Sequence, residues 1–564
     1  MTKRRRPALI FSRAVLLLCA VLGAGFSLDR PRHTDLGGLG WSEAFSRLCG
    51  QLAREYPFSA WKGIDWTAIE RDLGPRVADA ETRRDRRAWY RALRELVWRL
   101  RDGHARLLGD DGGLERAEVG GSFGLEVVEL DDGRVLASRI ADGGPAARAG
   151  LRFGAEIVRW NGIPAAAALA AVPVLWSDRP PAMREGTRLA QARLLLRAPL
   201  GATTAISFRN RPQAAGVGWP EAGGGGRPEP AVEMRELVAV AAPLERPPCL
   251  RAAELLVGRT LETRRLAAGA GYVRIHFELP TLRTPLPGHT LRRALARFTA
   301  DRLPGVIVDV RGNCGGLDAM VPPLVAPLLR EAQFYEVPGV YRREGGRRPE
   351  EPGRFAPDPR QATTVLPRPP LYRGRIAVLI DGDTVSAGEA VPLLLKGLPG
   401  VAVIGLHATQ GSFGIGFKSV RMPSGLEVVF PYAQSLDGDG RIEVDADAAG
   451  RGGVEPDLRV PLTAAVVERW YGRGEDVVLE EGVRFVRGEA FGESPRQASG
   501  GGGCLSASGW ARGEGGSCGW GGLRCAQTTA ERTSAALGPA SAPAATGHFG
   551  RRLLRPVPSV RAGL

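Results

Sequence analysis

The sequence predicts a multidomain α/β protein: a helical segment in front, a β-rich module in the middle, and a mostly parallel α/β core behind. Three observations predict it. Between Trp41 and Leu100 apolar residues recur at three- and four-residue spacing, as an amphipathic helix requires. From Gly120 to Asn210 alternation broken by glycine turns takes over. From Leu266 to Leu479 short β-branched runs alternate with helical ones, the pattern of layers around a parallel sheet. At 564 residues the chain has room for roughly two to four units with their own cores.

Composition narrows the function. With 44% hydrophobic residues, 76 glycines and 43 prolines, the chain is globular with substantial loops. A net charge of +15 would suit nucleic acid. However, the only lysines are Lys3, Lys62, Lys396 and Lys418, so the charge is arginine, scattered rather than clustered. No nucleic-acid-binding motif accompanies it, and nucleic acid is not an expected partner. The seven cysteines form no Cys-x-x-Cys pair, so neither a metal, a cofactor nor an ordered disulfide framework is predicted.

Lys3-Arg4-Arg5-Arg6 precedes the apolar run Ala14 to Phe26, with Gly23, Ala24, Gly25 and Ser27 at its end. Residues 1–27 read as a secretory signal, too short for a comfortable membrane span. No Ala-x-Ala site is present, so an uncleaved N-terminal anchor stays open. The expected location is exported, periplasmic or extracellular, with membrane attachment through this segment as the variant.

Residues 36–112 form the helical N-terminal segment. Trp41, Phe45, Leu48, Leu52 and Tyr56 make one amphipathic face, and Trp89, Leu93, Leu96, Trp98 and Leu100 another. The second pattern stops at Arg101-Asp102-Gly103-His104, where Gly103 suits a C′ position and puts His104 just beyond the helix. A histidine there is ordinarily structural, but of six histidines only His104, His276, His289 and His407 fall in ordered-looking sequence.

Residues 118–210 contain an alternating strand from Leu125, a turn at Asp131-Asp132-Gly133, the strand Val135 to Ile140, then Gly144-Pro145-Ala146-Ala147-Arg148-Ala149-Gly150-Leu151 and Gly154 to Gly162. This segment resembles a PDZ domain. The resemblance implies that the loop Ser122, Phe123, Gly124 and Leu125 offers N–H groups to a C-terminal carboxylate and that the strand takes up a peptide by β-augmentation. Residues 211–265, with Gly223 to Gly226, read as linker and connecting strands.

The core, 266–487, has strands at Gly271 to Ile275, Gly305 to Val310, Ile376 to Ile380 and Val401 to Ile404, with helical spacing at Leu291 to Phe298 and Ala387 to Leu395. Val310-Arg311-Gly312-Asn313-Cys314-Gly315-Gly316 is a glycine-rich turn after a strand, where backbone can approach a ligand closely. It lacks the Gly-Lys-Ser/Thr of a phosphate loop. In the stretch Leu379 to Ala390, Ser386 stands at a strand-to-helix junction. It suits either a helix N-cap or a nucleophile above backbone N–H groups.

Asp309 to Gly316, Leu379 to Glu389 and Gly453-Val454-Glu455-Pro456-Asp457 together resemble the S41 family of serine peptidases, which includes the C-terminal processing proteases and the tricorn protease. The likeness runs from about Trp41 to Val486. Tyr56-Pro57, Gly63-Ile64-Asp65-Trp66 and Asp102-Gly103-His104 resemble its tricorn-like branch. The family implies a core of the ClpP/crotonase type, Ser386 as nucleophile, and an oxyanion hole from Ala387 with Gly315 or Gly316. The processing-protease branch places a lysine downstream of the serine, but the corresponding position here is Gly411. Lys396 lies about 15 Å along the predicted helix, and Lys418 beyond the relevant loop. The tricorn-like branch uses a histidine, and His104 occupies its motif, with His407 as the other base to weigh. The orienting serine of that branch is replaced by Gly103. Glu455 and Asp457 are candidate orienting carboxylates, and Glu389 a supporting one.

Residues 488–564 are a low-complexity tail without assigned chemistry. The expected function is an exported serine endopeptidase, acting on peptides or unfolded proteins through an acyl-enzyme, with the PDZ-like module docking or gating them. The alternative is a catalytically reduced S41-like protein that binds peptide or another ligand, as a retinoid-binding relative does.

Overall fold

The computed structural model describes residues 32–211, 231–244, 258–342 and 354–489. The expected leader, the Gly223 to Gly226 run and the tail from residue 490 lie outside the described residues. All described residues belong to one unit, spanning 1–495.

After a short strand, Arg32–Asp35, come helices α1 (Trp41–Glu55), α2 (Trp66–Arg83) and α3 (Arg86–Arg99). Asp65 and Asp85 cap α2 and α3 by accepting the N–H groups of Ala68 and Ala88. The predicted stop moves by two residues. Arg101, not Gly103, takes the left-handed conformation (φ 48°). That position is over-determined, because Arg101 O accepts from Lys62 Nζ at 3.0 Å, and its guanidinium reaches Lys62 O and Ala448 O.

These helices do not bury their apolar faces alone. Strand Arg106–Leu108 pairs with Leu426–Phe430, and Arg32–Asp35 with Lys418–Met422. Val420, Met422, Leu426, Val428 and Phe430 share one core with Phe45, Leu48, Trp89 and Leu93. The expected 36–112 segment is therefore completed by a hairpin from the far end of the chain, and this ties His104 to the loop preceding that hairpin.

The β-rich region is an antiparallel sheet in the order Glu233–Val238, Thr203–Arg209, Glu156–Trp160, Val135–Ile140, Leu125–Glu129. Its last strand, 233–238, falls in the stretch read as linker and connecting strands and lies beyond the expected boundary at 210. Helix α4 (Arg184–Leu195) lies along Leu125–Glu129, with Arg188 Nε 2.9 Å from Glu129 Oε2.

The core sheet keeps chain order across its width: β1 (Leu261–Arg265), β2 (Gly271–Ile275), β3 (Gly305–Asp309), β4 (Arg375–Leu379), β5 (Val401–Gly405), β6 (Leu458–Arg459). Only β1–β2 is antiparallel. Both faces are covered, which is why its strands read as unbroken apolar runs. Helices α5 (Pro287–Ala300) and α6 (Ala387–Leu395) pack Leu291, Leu295, Val391 and Leu394 against Val308 and Val378. Helix α7 (Val477–Arg487) covers Ile307, Ala377 and Leu379 on the other face. Among the described residues no helix is long and apolar enough to cross a membrane.

Candidate active site

The loops after β3 and β4 meet edge to edge, as adjacent parallel strands require. Arg311 anchors the first, forking onto Asp309 (2.9 and 2.7 Å) and onto Asp476 (2.8 and 2.8 Å), the cap of α7. Asp381 Oδ1 joins the second loop to it by accepting the N–H groups of Gly312 (2.9 Å) and Thr384 (3.0 Å). Thr384 Oγ1 donates to Val310 O, and Val385 N–H to Asn313 O, both at 2.9 Å.

Ser386 follows at φ 61° and ψ −138°, close to a region reserved for glycine. It sits at the N-cap of α6, but its side chain caps nothing. A capping serine takes ordinary extended backbone and aims its oxygen back at the helix, so the cap reading of Ser386 fails on both counts. Gly315, at φ 80°, faces it: a Cβ there would stand 2.5 Å from Ser386 Cβ, 2.9 Å from Oγ and 3.0 Å from Ala387 N. Ala387 N–H opens α6 without an internal partner. Gly315 N–H is already donated to Asn313 Oδ1 at 2.8 Å. Of the two glycines nominated for the oxyanion hole, only Gly316 keeps an uncommitted N–H.

His104 is 3% exposed. Ser412 links its loop to the Ser386 loop, since Gly103 N–H donates to Ser412 Oγ (2.9 Å) and Ser386 N–H to Ser412 O (3.1 Å). The carboxylate beside the imidazole is Asp102. Its Oδ1 accepts His104 N–H at 2.9 Å and lies 3.5 Å from Nδ1, and its Oδ2 accepts Tyr56 Oη–H at 2.8 Å. Neither ring nitrogen makes a hydrogen bond. Burial pushes the Asp102 carboxyl up, but the His104 ring, Lys62 and the His104 N–H outweigh it and hold it below the usual range.

The nominated carboxylates stand elsewhere. Glu455 is exposed, and its backbone carbonyl accepts from Lys396 Nζ. Asp457 is bound by Lys396 Nζ and by Val403 N–H. Lys396 is thus occupied away from Ser386. Glu389 is fully buried and accepts from Thr409 Oγ1 (2.8 Å), Gly411 N–H and Ser412 N–H (both 3.1 Å), so it shapes the loop carrying Ser412. His407 has Glu185 for its neighbour, 3.8 Å from Nδ1.

Sequence reasoning quoted Asp102 in its motif but passed over it as an orienter. The available signal was local: an aspartate readily bonds the N–H two residues on. Asp445 was missed outright. It is buried, accepts Phe413 N–H at 3.0 Å, and its Oδ2 has no partner; burial raises its carboxyl to about 8, opposed by Lys62 and assisted by Asp102. Cys314, within the glycine-rich turn, is disulfide-bonded.

The loop nominated for a peptide carboxylate is partly spent. Phe123 N–H donates to Leu196 O (3.3 Å) and Gly124 N–H to Ser122 Oγ (3.1 Å), while Ser122 pairs with Arg197 and Val240. Leu125 begins the outer strand of its sheet.

Four buried carboxyls around the core, Glu278, Glu336, Glu389 and Asp445, are each raised to about 8, chiefly by burial. Their unfolded values lie near about 4. The folded state therefore holds more protons between about pH 4 and 8, and stability falls as pH rises through that window. Asp102 acts oppositely: its contribution is present above its unfolded value and lost as pH falls toward about 2. Thermal unfolding should give a higher Tm at about pH 5 than at about pH 8. A Tm that climbs across this range would contradict the burial of these groups as neutral acids.

Residues 269–460 match the family model described as Peptidase family S41. Among solved structures, mature CPAF complexed with lactacystin superposes with a TM-score of 0.53 at 15% identity, over 80% of this chain and 99% of that one. A CPAF mutant gives 0.55 at 14% identity, over 80% and 98%. A putative peptidase from Parabacteroides merdae gives 0.44 at 15%, over 80% and 97%. At these identities the likeness to CPAF is one of fold. A search of the curated proteins found no match.

Proposed function

We propose, from the match of residues 269–460 to the family S41 peptidase model, that the protein is an exported serine endopeptidase cleaving peptides or unfolded proteins through an acyl-enzyme on Ser386. The observation that carries this reading is the backbone of Ser386, held at φ 61° with its hydroxyl uncommitted beside Gly315 and Ala387 N. Strain of that kind persists only where surrounding structure enforces it.

His104 takes the proton from Ser386 Oγ as that oxygen attacks the scissile carbonyl. The N–H groups of Ala387 and Gly316 receive the developing oxyanion. Asp102 balances the imidazolium, which then protonates the leaving amine. Water repeats the sequence on the ester and returns the proton to Ser386. The β-rich module docks or gates the substrate, using the outer edge of Leu125–Glu129 rather than the spent N–H groups of Phe123 and Gly124.

A fluorophosphonate should label the wild-type protein at Ser386 and leave Ser386→Ala unlabelled, with peptide hydrolysis lost in parallel. One observation favours the second reading, a peptide-binding protein without turnover: neither nitrogen of His104 is hydrogen-bonded. Saturable peptide binding by a wild-type protein that resists labelling would decide for it.

A further inference from the structure

We propose that Glu278 and Asn313 form a buried clamp that selects Gly316 N–H, rather than Gly315 N–H, as the partner of Ala387 N–H in the oxyanion hole; this rests on the serine-peptidase reading. Neither residue belongs to the acyl-transfer machinery described above. Both are positioning residues, acting through the glycine-rich turn.

Asn313 is fully buried, and both of its amide hydrogens and its oxygen are engaged. Nδ2 donates to Glu278 Oε1 (2.7 Å) and to Ile275 O (3.1 Å), and Oδ1 accepts Gly315 N–H (2.8 Å). A flipped amide would put oxygen against Ile275 O and nitrogen against Gly315 N–H. The orientation is therefore unique, and it withdraws Gly315 N–H from the site.

Glu278 grips the same turn through its backbone. Its N–H donates to Gly315 O (3.2 Å), and its carbonyl accepts Leu317 N–H (2.9 Å). Gly315 O and Gly316 N–H belong to one trans peptide and point in opposite directions. With the carbonyl fixed toward Glu278, the Gly316 N–H is turned away from it. In the clamp that N–H serves the oxyanion beside Ser386 and Ala387 N, against which the neighbouring Gly315 lies. A Cβ on Gly316 would fall 2.4 Å from Glu278 O, so the contact is open to glycine alone. Burial pushes the Glu278 carboxyl up to about 8, with Asp318 adding to the shift while Asn313 opposes it, which makes glutamine its close mimic at neutral pH.

The test compares Glu278→Leu, Glu278→Gln and wild type in peptide hydrolysis. It adds the affinity of a peptidyl aldehyde, whose hemiacetal oxygen needs the oxyanion donors, and the Kd of an uncleaved peptide in a Ser386→Ala background. Glu278→Leu should lower kcat by about 10²–10³-fold, the size of one lost oxyanion donor, and weaken aldehyde binding in parallel. KM and the uncleaved-peptide Kd should stay within about twofold, and Glu278→Gln should keep most activity, since these probe ground-state binding and shape. If Glu278→Leu does not fold, Asn313→Asp, which sets oxygen against both Glu278 and Ile275 O, is measured for the same kcat loss. Wild-type kcat in a folded variant lacking the Glu278 acceptor, or a rise in KM alone, overturns the clamp. If the wild type itself resists fluorophosphonate, the peptidase reading has failed first, which separates the two outcomes.

Discussion

Asp102→Asn should reduce peptide hydrolysis by about 10⁴-fold while leaving the protein folded and able to bind peptide. The substitution keeps the local frame. An asparagine Oδ1 still accepts His104 N–H, and an amide at the other position can donate to Tyr56 Oη in place of accepting from it. What disappears is the negative charge beside the imidazole ring, 3.5 Å from Nδ1 and inside a buried site. An imidazolium formed there would have no close counter-charge, since burial holds Asp445 largely protonated. The check is kcat/KM on a peptide with the melting curve alongside. Activity within about threefold of wild type would remove Asp102 from the proposed triad and return the search to other carboxylates.

Gly315→Ala should abolish hydrolysis and fluorophosphonate labelling together. The added methyl has no room: its carbon would stand 2.5 Å from Ser386 Cβ and 2.9 Å from Oγ, the oxygen proposed to carry the acyl group. The backbone contributes as well, since alanine at φ 80° costs about 1–2 kcal/mol. Gly312→Ala is the matched control. Gly312 also has a positive φ, 68°, but a Cβ there meets nothing within 4 Å. It should lose similar stability and keep its turnover. Equal activity losses in the two variants would assign the effect to turn strain rather than to the space facing Ser386.

Much of the core was legible because its signals are local. The buried runs at 305–309 and 375–379 read as strands, since a sheet covered on both faces is apolar throughout. The glycine turn and the serine after the next strand announced a site through turn chemistry alone. The helix periodicity from Trp41 to Leu100 was equally plain. It could not say what covers those helices, because the covering hairpin, 418–430, lies more than 300 residues downstream. Strand 233–238 was read only as one of the connecting strands, not as part of the β-rich sheet, because alternation that strong patterns mark clearly is blurred when most of its residues are exposed.

The carboxylates divide along the same line. Glu455 and Asp457 were nominated by a shared motif, but a motif does not say which way a side chain turns; Lys396 holds the Asp457 carboxylate, and Glu455 is exposed. Ser412 and Asp445 became visible only when pairing of distant segments set them near His104 and Ser386, whereas Asp102 carried a local signal in its bond to the N–H two residues on. By itself the sequence determined the α/β core, the helical front and the identity of Ser386 and His104 as residues to weigh, since periodicity, turn residues and motif order all act over short stretches. Whether Ser386 caps a helix or stands free, and which N–H faces it, were decided by the tertiary structure. Those questions turn on backbone dihedrals and on contacts between segments far apart in the chain, and no local pattern encodes them.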